Sequence, residues 1–282
     1  MNAQTVTIVG VNGGFGSLFA SRLAGAGWTL HGVDRAPAAR HPEYLASYHH
    51  LRPEGPNDIA AAAFADSRVW LLCTPERGTF SWTERLLPGM AEGRLCLDIL
   101  SVKEPIVEHV GRMGFAGEYL SLHPMFAPGV GFADQAVAVV PVREGPVAAE
   151  FCGLLADWGA RLVRLDAENH DRATAILQAG VHAALLALAR ATHAATHAAT
   201  RDTTHDTTHD TTVNRDLLRE LGTPVSRPVF EAIDRILRGQ PETYQAIQDR
   251  NRYAEGVRRT MVQTIEELVQ GQNADRLFRQ LR

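Results

Sequence analysis

Apolar residues in the first half of the chain gather in short, nearly continuous runs, whereas in the second half they recur at helical spacing. Runs at 5–10, 28–34, 69–74, 95–100, 119–123, 136–142 and 162–165 read as strands. Between several of them, 17–26, 80–87, 105–113 and 147–158 carry the three-to-four residue periodicity of helices. Strands that are apolar on both faces and alternate with helices predict a doubly wound, largely parallel sheet, because each face must be covered. The later, closely spaced strands leave room for an antiparallel edge. Beyond Asp166 the pattern is helical over 168–192, 217–221, 229–237 and 242–269. The expected architecture is therefore a Rossmann-like α/β domain over 1–166 and an all-helical domain over 167–282. Helices apolar over much of their surface need a partner, and a homodimer through the helical domain is expected.

One segment breaks this pattern. Residues 192–212 repeat THAATHAAT and then DTTHDTTHDTT. Threonine and aspartate are poor helix formers and the repeat offers no apolar face, so a mobile surface loop is expected. His193/His197 and His205/His209 have the i, i+4 spacing of a helical metal pair, but no third ligand is evident and no metal is expected.

Composition adds bounds. The chain has 282 residues, 45% hydrophobic and 21% charged, enough for a sizeable core. A net charge of −4 gives no reason to expect nucleic acid or an anionic membrane as partner. No uninterrupted apolar run approaches the roughly 20 residues of a membrane span, and the N-terminus enters a strand with no basic-then-apolar leader. Cys73, Cys96 and Cys152 show no metal-type or redox-type pairing and read as reduced thiols. A cytoplasmic protein is expected.

The first strand runs into Gly10-Val11-Asn12-Gly13-Gly14-Phe15-Gly16 and then a helix. Such a loop lets backbone approach a pyrophosphate while the helix N-terminus faces its charge. Gly13 and Gly16 fit the Gly-x-Gly-x-x-Gly spacing; Val11 stands at the first glycine, with Gly10 just before it. Asp34, ending the second strand, suits the ribose hydroxyls of NAD and repels a 2′-phosphate, whereas Arg35 beside it could hold one. Thr74-Pro75 ends another strand on the side where cofactors bind, although a plain turn explains it equally. NAD is the expected cofactor.

More specific are Asp98-Ile99-Leu100-Ser101-Val102-Lys103, Leu122-His123-Pro124-Met125-Phe126-Ala127-Pro128, Asn169-His170-Asp171 and Gln178-Ala179-Gly180-Val181-His182. In order and spacing they resemble the motifs of prephenate dehydrogenases. Thr223-Pro224-Val225-Ser226-Arg227, Asp234-Arg235-Ile236 and Pro241-Glu242-Thr243-Tyr244 resemble that family's helical domain. The chain departs from the family at Ala127, usually glycine, and at Asn169, usually glutamate. The resemblance implies NAD-dependent oxidative decarboxylation of a cyclohexadienyl dicarboxylate: prephenate, arogenate or 4-amino-4-deoxyprephenate. It implies His123 as the proton acceptor and Ser101 as its aid, with His182, Arg235 and Arg227 as substrate anchors, on a substrate lodged between the two domains. Bland readings stand beside these. Ser101 and Glu104 have capping-box spacing, His182 could be a packed helix residue, and an exposed arginine is usually only solvated. Lys103 reads as a surface or helix-start residue. Other readings are a hydroxy-acid dehydrogenase, for which the helical domain lacks a lysine base, and a non-catalytic NAD sensor.

Overall fold

The computed structural model describes residues 4–37, 43–54, 64–198, 214–239, 241–271 and 274–282. Its contacts divide the chain into two compact units, Met1–Asp171 and Arg172–Arg282.

The first unit is built on an eight-stranded sheet: β1 Thr5–Val9, β2 Thr29–Asp34, β3 Leu45–His50, β4 Val69–Leu72, β5 Leu95–Asp98, β6 Glu118–Pro124, β7 Ala136–Arg143 and β8 Arg161–Arg164. Their order is β3-β2-β1-β4-β5-β6-β7-β8. The first six in this order are parallel, and β7 runs antiparallel to β6 with β8 parallel to β7. The sheet is the doubly wound one expected, with its reversed edge. Strand β3 was not expected, because Leu45–His50 is polar at most positions and sits at the edge, where only half-burial is required.

Side-chain alternation splits the core into two layers. Val6, Ile8, Leu71, Leu97, Leu120 and Leu122 face one side, against Phe19 of α1 (Gly14–Gly25) and Phe151 of α4 (Pro146–Asp157). Trp70, Leu72, Cys96 and Tyr119 face the other, against Trp82 of α2 (Glu76–Leu86) and Ile106 of α3 (Glu104–Gly111). Phe19 and Phe151 are essentially fully buried, so truncating either to alanine costs about 3–5 kcal/mol. The helices need caps as well as packing. The Glu118 carboxylate, at the start of β6, accepts the backbone N–H groups of Val147 (3.2 Å) and Ala148 (2.6 Å) and so closes the first turn of α4.

Helix α5 Ala167–Thr174 leads through a π-helical turn, Ala175–Gly180, into α6 Val181–Ala198. The second unit continues with α7 Arg215–Glu220, α8 Ser226–Leu237, α9 Pro241–Arg250, α10 Ala254–Val269 and α11 Ala274–Leu281. Ala179, Ile247 and Ala254 form its small buried core. The π turn widens the helix, and Gln248 donates its side-chain amide to the Ala179 carbonyl at 2.8 Å.

Three expectations are corrected here. The helix expected over 242–269 is two helices, because the Asn251 side chain accepts the Tyr253 N–H (3.0 Å) and turns the chain between them. The stretch 192–198, expected as loop, continues α6; Thr196 satisfies its hydroxyl on the Thr192 carbonyl at 3.0 Å, which a helix tolerates. The remainder of the repeat, with His205 and His209, lies outside the described residues. Lastly, the helical stretch Ala167–Thr196 is long and apolar enough in composition to cross a membrane. Uninterrupted runs hid this, since the apolar window tolerates polar residues; 22% of that window is buried inside the structure.

Candidate active site

Because β1, β2, β4, β5 and β6 are parallel, their C-terminal ends share one edge of the sheet. Gly10, Asp34, Thr74, Ser101 and His123 all lie on that edge or just past it, where open α/β sheets place their ligands. At Gly10 the chain turns with φ +79°, and a Cβ there would lie 2.3 Å from the Cys73 carbonyl oxygen. A Cβ on Gly16 would strike the Gly10 carbonyl oxygen at 2.1 Å, so the turn closes tightly onto the first turn of α1. Gly13 is the N-cap, with no side chain to cap the helix, and no acidic side chain occupies the first turn. The free N–H groups of Gly14, Phe15 and Gly16 therefore suit an anion. Asp34 is fixed by the N–H groups of Asn12 (3.0 Å, to Oδ2) and Ala36 (3.1 Å, to Oδ1), with lone pairs to spare for hydroxyl donors. Asn12 also donates its side-chain amide to the Tyr48 hydroxyl at 2.9 Å, a contact supplied by the unexpected strand β3. Arg35 is exposed and its carbonyl accepts from His50. Thr74 and Thr79 exchange hydroxyl contacts at 2.9 Å beside Pro75, the N-cap of α2, so this pair builds the turn. These residues fit a dinucleotide.

The segment after β6 folds onto that loop. Pro128 lies where a Cβ on Gly14 would be, 2.9 Å from its Cγ, and Phe126 meets Phe15 edge-on at 5.8 Å between ring centres. His123, at the end of β6, is buried. Its Nδ1 lies 3.0 Å from His170 Nε2, and His170 Nδ1 lies 2.8 Å from Asp171 Oδ1. Burial pushes the His123 imidazole well below the ordinary histidine pKa, with Lys103 and His170 adding to the effect. His170 is lowered too, by burial first, with Asp171 opposing.

Lys103 corrects its expectation: it is wholly buried. Its Nζ donates to the Leu122 carbonyl (2.6 Å), Ser121 Oγ (2.8 Å) and Asp98 Oδ1 (3.3 Å). Asp98 also accepts from Ser121 Oγ, the Tyr119 hydroxyl and the Leu100 N–H, each at 2.9 Å. Desolvation lowers the Lys103 pKa against the pull of Asp98. The capping box is corrected as well. Lys103, not Ser101, is the N-cap of α3, and no local side chain caps that helix. The cap comes from Asp171, which accepts the N–H groups of Lys103 and Glu104 at 2.8 Å each. Ser101 is half-buried just past β5 and is left to other uses.

In the second unit His182 is partly buried, and its ring meets Tyr244 edge-on at 4.9 Å. Among the described residues its buried Nδ1 meets no hydrogen-bond partner, and burial lowers its pKa. Arg227 and Arg235 are both exposed on α8, about two turns apart. Asp234 lies 4.0 Å from Arg219. Among the described residues no group of three or more His, Cys, Asp and Glu side chains could hold a metal.

No family model matches the chain. The 4-amino-4-deoxyprephenate dehydrogenase of Streptomyces pristinaespiralis is 36% identical over 180 residues, which cover 64% of this chain and 60% of that one. The chain thus matches about three fifths of that relative's length. Arogenate dehydrogenase of Synechocystis shares the fold at 19% identity and TM-score 0.64, over 98% of this chain and 96% of that one. Prephenate dehydrogenase of Aquifex aeolicus, solved with hydroxyphenyl propionate and NAD+, shares it at 18% identity and TM-score 0.62, over 96% and 92%.

Proposed function

We propose that this chain is an enzyme of the prephenate dehydrogenase type, which oxidatively decarboxylates prephenate or a close cyclohexadienyl analogue to an aromatic pyruvate product; the likeness to the relatives and solved structures above supports this reading. The observation that carries the reading is the buried His123, held by His170 on the sheet edge that also carries the glycine loop.

NAD+, when bound, supplies the hydride acceptor. Gly10, Gly13, Gly14, Phe15 and Gly16 receive the pyrophosphate at the start of α1, and Asp34 takes the ribose hydroxyls and disfavours a 2′-phosphate. Arg35, Thr74 and Pro75 border that site. As hydride leaves the ring carbon, His123 accepts the proton of its hydroxyl; its depressed pKa keeps the imidazole neutral and ready near pH 7. Ser101 contacts the same substituent or steadies His123. The ring carboxylate departs as carbon dioxide, its bonding electrons complete the aromatic ring, and His123 returns the proton to the phenolate oxygen. Positioning suffices for that step, because aromatisation drives it. His182, Arg235 and Arg227 serve the carboxylates, Arg through charge-assisted hydrogen bonds.

The identity to a 4-amino-4-deoxyprephenate dehydrogenase favours a second substrate with an amine in place of the hydroxyl. Ile176, Leu177, Val262 and Ile265 are each more than half exposed in the helical unit, which supports a homodimer covering them. Three free cysteines support a cytoplasmic setting. The test is NADH formation with prephenate, arogenate and 4-amino-4-deoxyprephenate side by side, each with NAD+ and NADP+. Turnover with NAD+ is expected, and the ratio names the substrate. A protein that binds NAD+ yet turns over none of the three would overturn the reading.

A further inference from the structure

Resting on the reading of His123 as proton acceptor, we propose that His170 and Asp171 are positioning residues that hold His123 in the tautomer with hydrogen on Nδ1 and a lone pair on Nε2. The direction of the chain follows from Asp171. Its Oδ1 accepts the Lys103 N–H and its Oδ2 the Glu104 N–H, each at 2.8 Å, at the N-terminus of α3. A carboxylate seated on two backbone donors presents only lone pairs to its other neighbour. That neighbour, His170 Nδ1 at 2.8 Å, must carry hydrogen. A neutral His170 then has its lone pair on Nε2, which faces His123 Nδ1 at 3.0 Å. Two lone pairs cannot face each other at that distance, so His123 Nδ1 bears the hydrogen and Nε2 is the basic nitrogen.

The same chain answers an electrostatic problem. Lys103 lies close enough to disfavour a positive charge on His123. When His123 takes the substrate proton, its Nδ1–H becomes a stronger donor to His170, which is polarised in turn by Asp171. The two residues do this without touching substrate. His170 and Asp171 are each about 1% exposed, so water does not compete for these bonds. Lys103 contributes through its backbone, since its N–H helps seat the carboxylate while its side chain is tied to Asp98.

The test has a static and a kinetic arm. Long-range proton–nitrogen correlation spectra of the full-length protein with isotope-labelled histidine read the His123 tautomer directly. The expected result is a protonated Nδ1 and an unprotonated Nε2, lost in His170→Phe, which fills the space without an acceptor. In turnover, His170→Phe is expected to lower kcat by about a thousandfold, the scale of general acid–base catalysis. The KM for NAD+ should hold, and His170→Gln, which keeps an acceptor oxygen, should recover at least about tenfold of the loss. An Nε2-protonated His123 in the wild-type spectrum overturns the proposal. So does a His170→Phe enzyme within about threefold of wild-type kcat. Failure of the underlying reading looks different: His123→Gln would keep its activity, whatever the tautomer spectrum showed.

Discussion

Gly14 and Pro128 are in contact across two loops: the Cβ that Gly14 lacks would sit 2.9 Å from the Pro128 ring. One belongs to the nucleotide loop and the other to the segment that follows His123. Gly14→Ala should therefore act on both. Overpacking of this kind costs about 1–3 kcal/mol. The expected outcome is a raised KM for NAD+ together with a lowered kcat. A rise in KM alone would mean that the two loops are not coupled.

The Lys103–Asp98 pair predicts a large stability effect. Neither side chain has any solvent exposure. Asp98→Ala removes the carboxylate and leaves a buried cation, at a cost of about 3–5 kcal/mol. Urea or thermal unfolding measures it, and a loss below about 1 kcal/mol would show that the neutral partners Ser121 and Leu122 carry the lysine alone.

Histidine burial sets a pH dependence. His123, His170 and His182 are all held below the ordinary histidine value of about 6.5, by burial first in each case. Unfolded, each binds a proton as the pH falls through about 6.5, whereas the folded chain does so only at lower pH. Their contribution to stability is thus fully present above about 6.5 and is lost progressively below it. The acid limb of kcat/KM, governed by His123 with the Lys103 cation nearby and His170 as its hydrogen-bond partner, should likewise fall below the ordinary histidine range. A limb centred at or above 6.5 would contradict the environment drawn here for His123.

Substrate charge separates the two arginines. A hydrogen bond to a carboxylate is worth about 1.5–3 kcal/mol, so Arg235→Gln should raise the KM of a dicarboxylate roughly ten- to hundredfold. Arg227→Gln, measured in parallel, assigns the second anchor. A variant with unchanged KM is merely solvated.

The strands that the sequence announces most clearly are those buried on both faces. In β1, β4 and β5 every residue is buried, and apart from Thr5, Thr7 and Asp98 every one is apolar, so the runs stand out along the chain. Strand β3 was silent because an edge strand needs only half its side chains inside; His31, Ser47 and His49 share hydrogen bonds there instead. His123 could be read from its motif, but its partners could not. His170 stands 47 positions away, and the helix cap reaches Lys103 from 68 positions away. The local capping box at Ser101 was misleading for the same reason: a long-range carboxylate took the place that spacing assigned to a neighbour. Lys103 was misread because burial of a lysine depends on Asp98, Ser121 and a carbonyl on adjacent strands, which no local pattern reveals.

Lys103 is also the only lysine in the sequence, and it is sealed inside. The native surface consequently offers no side-chain amine. Amine-directed acylation, biotinylation or crosslinking finds no lysine until the first unit opens, and a lysine-specific protease finds no site. Labelling of Lys103 thus becomes a clock for global unfolding, with a single residue to follow.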